Sequence, residues 1–254
     1  MSRIQALGLS IGYGGAVVGE EIDLALAGGE VLCLLGPNGG GKTTLFRTLL
    51  GVLPPIAGEV RVGDQPLSRW PRRELARFLG YVPQAHAGLF AFTVEDVVLM
   101  GRTARMGRFG SPSAHDREVA RTALERLGIG ALASRVYTRI SGGERQLALI
   151  ARALAQEAET LILDEPTASL DFGNQLRVLS EIARLRRDGI GILMSTHQPE
   201  HAFKVADRIA LLKAGRIVAQ GAARDTATPS RLAALYGARV EDVASSLPTF
   251  SSRP

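Results

Sequence analysis

Nine residues, Gly36-Pro37-Asn38-Gly39-Gly40-Gly41-Lys42-Thr43-Thr44, join a glycine-rich turn to a lysine and two hydroxyls. They fit G-x-x-x-x-G-K-[ST], a loop that cradles nucleotide phosphates. Its glycines let successive N–H groups point inward, a nest for anionic oxygens at a helix N-terminus. Lys42 would reach the terminal phosphates, and the Thr43 hydroxyl would bind Mg²⁺. Lysine is scarce here: apart from Lys42 only Lys204 and Lys213 occur, every other basic side chain being Arg. An apolar segment, Glu30 to Leu35, precedes the loop as a strand, and Leu45 to Leu50 follows as the start of a helix. That strand–loop–helix order predicts a nucleoside-triphosphate site.

Two further groups extend the chemistry. Leu161-Ile162-Leu163-Asp164-Glu165-Pro166 is an apolar strand ending in two carboxylates. Asp164 at a buried strand end can hold Mg²⁺ through water, and Glu165 can take a proton from the attacking water or orient it. Ile140-Ser141-Gly142-Gly143-Glu144-Arg145-Gln146 reads as a helix start, Ser141 capping and Glu144 completing a capping box. Two glycines behind a cap weaken the first turn unless the backbone must approach something closely. A phosphate at that positive helix end supplies a reason.

The elements that position these groups follow from pattern and punctuation. The chain has 254 residues, enough for a full core, with globular apolar content and a formal charge of +5. Arginine is denser in two patches, Arg69, Arg72, Arg73 and Arg77, then Arg102, Arg105 and Arg108. Such patches suit solvated faces or anionic partners. The single cysteine, Cys33, allows no disulfide within the chain. After Arg3 no charge occurs until Glu20, but five glycines make this a poor signal helix, and Ala6 to Ile11 alternates like a strand. Strands with glycine turns and a hairpin near Gly58–Asp64 are expected up to Val62. Helices are expected at 93–100, 116–127 and 141–156, with a loop at 103–114. After Glu159 the pattern alternates: strand 160–164, helix 173–187, strand 190–195, short helix 201–206, and strands 208–213 and 216–220. This predicts a doubly wound α/β core at about 1–84 and 158–240, a helical subdomain at about 85–157, and a flexible tail at 245–254.

In this order, the phosphate loop, the Ser141 motif, Leu163-Asp164-Glu165-Pro166 and Ser195-Thr196-His197 resemble the ATP-binding-cassette ATPases. The resemblance spans about Ile4 to Gly221. It implies a RecA-like phosphate-loop NTPase core with an N-terminal antiparallel β part, an inserted helical subdomain, and ATP with Mg²⁺ as cofactors. By the same resemblance Tyr13 stacks on adenine, and Gln84 contacts Mg²⁺ or the water. His197 then contacts the γ-phosphate, and Ser169-Leu170-Asp171 crosses a dimer interface. His197 and His201 are four apart, but Pro199 between them argues against a metal pair. Cassettes of this family work in pairs, so a homodimer is implied, with ATP on Lys42 closed over by Ser141 and Gly143 of the other chain. Permease subunits, and indirectly a substrate-binding protein, are the implied partners at the cytoplasmic face of the membrane, with no nucleic acid. Ile140, where the family usually has Leu, and Gly40 are departures from its pattern. The stretch Phe90 to Asp116 and Leu170 to Gln175 resemble importers of metal chelates (ferric siderophore, haem, cobalamin) or of molybdate or tungstate. A soluble iron–sulfur assembly cassette, or the ATPase of another transporter class, is the alternative.

Overall fold

The computed structural model describes residues 2–84, 91–107, 110–168 and 170–247. The chain forms two compact units, 1–67 with 195–254, and 68–194.

The first unit opens with β1 (Ser2–Tyr13) and β2 (Ala16–Ala27), an antiparallel hairpin. The alternation expected from Ala6 to Ile11 is present with one slip. Gly8 takes a φ of 52°, its N–H donates to Asp23 Oδ1, and the register shifts between Ala6 and Leu9. Two residues rather than one therefore separate the buried Ala6 and Leu9, as at a β-bulge. Next come β3 (Val31–Leu35), α1 (Lys42–Leu49), β4 (Ala57–Val62) and β5 (Gln65–Pro66). β4 pairs antiparallel with β1 and with β5, so the expected hairpin turns at Gly63–Asp64. Every residue of β3 is buried, Cys33 among them, the mark of a strand covered on both faces.

In the second unit, α2 (Arg72–Phe78) leads into β6 (Leu79–Val82). Three helices follow, α3 (Val94–Leu99), α4 (Ala114–Arg126) and α5 (Gly142–Ala155), and they pack on one another. Thr93, Ser113 and Ser141 each close a capping box, with Asp96, Asp116 and Glu144. Then come β7 (Thr160–Leu163), α6 (Phe172–Arg187) and β8 (Gly191–Thr196). β7 pairs in parallel with both β6 and β8, so each connection crosses over through helices, as parallel pairing requires.

β8 returns the chain to the first unit. There α7 (Pro199–Val205) precedes β9 (Arg208–Lys213), which is parallel to β3, and β10 (Arg216–Ala222), which is antiparallel to β9. Arg216 of β10 pairs with Glu20 at 2.6 Å and with Glu21, tying this hairpin to β2. The chain continues through α8 (Ala223–Thr226), α9 (Pro229–Tyr236) and α10 (Val240–Ser246). Ser245 and Ser246 of the expected tail belong to α10, and residues 248–254 lie outside the described ones. Among the described residues no helix is long and apolar enough to cross a membrane.

Candidate nucleotide site

The loop from Gly36 to Gly41 joins buried β3 to α1, as the motif requires. A methyl group at Gly36 would stand 2.3 Å from the Leu212 carbonyl oxygen of β9, so the close approach of the two strands excludes any side chain there. Gly39 and Gly41 have φ of 78° and 96°, the left-handed region that glycine enters without strain. Gly40 has no positive φ, but a methyl there would crowd Pro37 O at 3.1 Å and touch Leu212 O at 3.8 Å. Pro37 and Asn38 complete the turn, Asn38 exposed. Lys42 is 6 % exposed, and its ammonium donates to Gly36 O at 2.8 Å and Pro37 O at 3.0 Å. The lysine thus folds back over its own loop, its charge shared by two carbonyls that an anion can replace.

The hydroxyls beside it diverge. Thr43 is exposed on the first turn of α1. Thr44 is buried and donates to Tyr13 Oη at 3.2 Å, which also receives Arg47 Nη1 at 3.5 Å. Tyr13, 42 % exposed at the end of β1, is therefore anchored by its hydroxyl to the phosphate-loop helix. At the end of β8, Ser195 and Thr196 are buried and His197 is exposed, while Gln198 N donates to Thr196 Oγ1 at 3.1 Å. His201 is buried in α7, and burial beside Lys204 pushes its imidazole below the ordinary histidine range. The two histidines belong to different elements.

The second unit carries the carboxylates. Asp164 follows β7, 4 % exposed, its N–H donating to Val82 O at 2.8 Å. Glu165 takes a φ of 47°. A left-handed backbone at a residue with a side chain costs about 1–3 kcal/mol and persists where the surroundings impose it, often at functional sites. Gln84 is exposed just beyond β6. Asp171 caps α6: Oδ1 accepts Asn174 N at 2.9 Å and Oδ2 accepts Asn174 Nδ2 at 2.8 Å. The Asn174 N–H, with further hydrogen bonds, holds its carboxyl below the ordinary range. Ser169 of the same loop lies outside the described residues, as do Leu89, Phe90, Arg108 and Phe109.

At the start of α5, Ser141 Oγ accepts Glu144 N at 3.2 Å, and Glu144 Oε2 accepts Ser141 N at 2.7 Å. Arg145 Nη1 donates to Ile140 O at 2.9 Å, and the Ile140 side chain is buried. The nearest atom to a methyl at Gly142 would be Arg145 Nη2 at 3.9 Å, an ordinary contact. Packing within the chain does not require that glycine.

Arg69, Arg72, Arg73, Arg77 and Arg105 of the two patches are exposed and Arg102 is buried, yet several of them are engaged in hydrogen bonds within the second unit. Arg73 Nε and Arg77 Nε both donate to Ala104 O at 3.0 Å, and Arg73 also reaches Met106 O. Arg102, 3 % exposed, donates to Asp116 Oδ1 at 2.8 Å and to Glu157 Oε2 and Ala155 O at 2.7 Å. Arg105 donates to Gln156 O and Glu157 O. These side chains crosslink the second unit, a role that their spacing alone did not disclose.

The model of the ABC transporter family matches residues 20–168. A hemin import ATP-binding protein of Nocardia farcinica is 40 % identical over 87 % of this chain and 76 % of its own length. A molybdate import ATP-binding protein of Haemophilus influenzae is 38 % identical over 85 % and 81 % respectively. A solved metal-chelate type ABC transporter in an inward-facing conformation superposes with a TM-score of 0.81. It is 36 % identical over 93 % of this chain and 90 % of the other.

Proposed function

The chain belongs to the ABC transporter family, and we propose that it is the ATP-hydrolysing subunit of an importer of metal chelates or metal oxyanions. Its cargo would be a ferric siderophore, haem or cobalamin, or else molybdate or tungstate. The observation that carries the reading is the phosphate loop, with a buried Lys42 held over two of its carbonyls by bonds that phosphate oxygens can take over. The names of the relatives supply the cargo class.

The residues divide the work by chemistry. Backbone N–H groups from Gly39 to Thr44 hold the phosphates at the N-terminus of α1. Tyr13, anchored by its hydroxyl, offers a ring face to adenine. Mg²⁺ takes few protein oxygens and fills its shell with phosphate and water. The exposed Thr43 hydroxyl and the buried Asp164 carboxylate suit it, with Gln84 as a further contact. Bound there, the ion would neutralise charge on the phosphates. Glu165 orients the attacking water and accepts its proton, and His197 contacts the γ-phosphate. Ser141, Gly142, Gly143 and Asp171 act on the nucleotide of a second copy. On this reading the helices α3 to α5 meet the permease, at the cytoplasmic face of the membrane.

The test is ATPase activity of the complete complex in vesicles. Binding protein loaded with a metal chelate or oxyanion is expected to stimulate hydrolysis. Stimulation by sugar- or amino-acid-loaded binding protein alone would overturn the cargo class and leave the ATPase standing.

A further inference from the structure

Tyr13 ends β1 at the tip of a hairpin, paired across the turn with Ala16 of β2. The two residues between them, Gly14 and Gly15, both have positive φ, 53° and 89°, the backbone that suits a right-twisted two-residue turn. A methyl group at either glycine would meet nothing within 4 Å, so no neighbouring element packs against the turn. Glycine also brings the most backbone freedom. An exposed ring beside such a turn needs another restraint to keep one orientation. The restraint is at its far end. The Tyr13 hydroxyl oxygen accepts from Thr44 Oγ1 at 3.2 Å and from Arg47 Nη1 at 3.5 Å, filling both acceptor positions that a hydroxyl offers. Thr44 and Arg47 are three residues apart and so share one face of α1. Thr44 is buried, and Arg47 is exposed.

We propose that Arg47, together with the Thr44 hydroxyl, is a positioning residue for the nucleobase, holding the Tyr13 ring ready before the nucleotide arrives. The proposal rests on the nucleotide reading above, in which the ring faces adenine, and adds to it the residues that set the ring. A single bond would leave the ring free to pivot about the Thr44 hydroxyl. The Arg47 guanidinium supplies a second donor, and its charge strengthens a bond that is long for a neutral pair. A ring ordered in advance binds more tightly than one that must be ordered on contact. The arrangement also links the two ends of the nucleotide, because the N-terminus of the same helix faces the phosphates. Arg47 has a competing, merely structural role: it lies in the last turn of α1, where a cation complements the helix dipole. That role would alter stability and affect every triphosphate alike. Positioning touches only ligands that carry a base.

The experiment titrates the full chain with MgATP and with the Mg²⁺ salt of ribose 5-triphosphate, which lacks the base, and reads affinity by calorimetry. Tyr13→Phe keeps the ring and removes the acceptor. Arg47→Met keeps the aliphatic stem and removes the donor. Each is expected to weaken ATP binding about three- to tenfold, the effect of one lost hydrogen bond, and to leave ribose 5-triphosphate unchanged. Both act through one hydroxyl, so the double variant should bind ATP no more weakly than Tyr13→Phe alone. Tyr13→Ala removes the ring and measures the stacking itself. If Arg47→Met weakens both ligands equally, or adds its whole effect to that of Tyr13→Phe, Arg47 acts elsewhere and the inference fails alone. It fails alone too if Tyr13→Phe binds ATP as the wild type does while Tyr13→Ala does not. If Tyr13→Ala keeps wild-type affinity for ATP, the adenine role of Tyr13 falls and takes the inference with it.

Discussion

Glu165 combines a reactive side chain with a backbone φ of 47°, directly after a carboxylate buried at the end of β7. The left-handed conformation aims its side chain independently of the strand direction that fixes Asp164. If Glu165 handles the attacking water, Glu165→Gln keeps the shape and removes the proton acceptor. Hydrolysis should fall by about a hundredfold or more, while MgATP still binds and holds two copies together. Turnover assays and size-exclusion chromatography with ATP check both halves, and wild-type turnover would contradict the role. Lys42→Ala should instead abolish nucleotide affinity, read with a fluorescent ATP analogue. These residues are legible in the sequence because few structures other than a phosphate site need glycines, lysine and hydroxyl in that order. The strain at Glu165 is not legible, since Pro166 biases the residue before it towards extended backbone with negative φ, the opposite of what is found. Arg102 is misleading for a related reason: one-dimensional spacing cannot tell a guanidinium facing water from one enclosed by its own chain.

That enclosed arginine decides how the helical elements hold together. The Arg102 guanidinium joins the turn after α3 to the start of α4 through Asp116 and to the end of α5 through Ala155 and Glu157. Arg102→Met would leave Asp116 without its cation and should lower stability, less than breaking a fully enclosed pair would, because Glu157 remains half in water. Urea unfolding at neutral pH measures it. The same clasp sets an acid dependence. The Ser113 hydroxyl, then Arg102, hold the Asp116 carboxyl far below the ordinary range, so the folded chain binds this proton less readily than the unfolded one. Its contribution is complete above about pH 4–5, near the pKa of an unfolded aspartate, and declines as pH falls through the depressed folded value. Asp116→Asn should flatten that part of the stability profile. The start of α4 shows what pattern reading misses. Ser113 opens the helix with Asp at the third position, where a capping box is usually recognised by Glu or Gln. Helix α2 has no periodic apolar face, whereas α9 is bounded by Thr228 before Pro229 and by a left-handed Gly237. By contrast β3, β7 and β8 stand out as short apolar runs between turn residues, buried as such runs must be.

The whole chain raises a question that one copy does not answer: what Gly142 is for. Ser141 and Glu144 already close the capping box, and a methyl group at Gly142 would make only an ordinary contact, 3.9 Å from Arg145. Glycine loses more conformational freedom on folding than a residue with a side chain, so its placement calls for a close approach by something outside the chain. A nucleotide bound to a second copy meets that need, because the exposed N-terminus of α5 offers N–H groups and a positive dipole to phosphate. The prediction is complementation between copies. If the chain works as a pair, Lys42→Ala chains and Ser141→Arg chains should each be inactive alone, one lacking the phosphate lysine and the other blocked at the helix end. A heterodimer of the two contains one site built from an intact loop and an intact α5 terminus. Mixing equal amounts should therefore restore part of the ATPase activity, in proportion to the heterodimer measured by differential tagging. If heterodimers form and activity stays at the level of the separate variants, each site is completed within one chain, and the glycine at 142 has another cause.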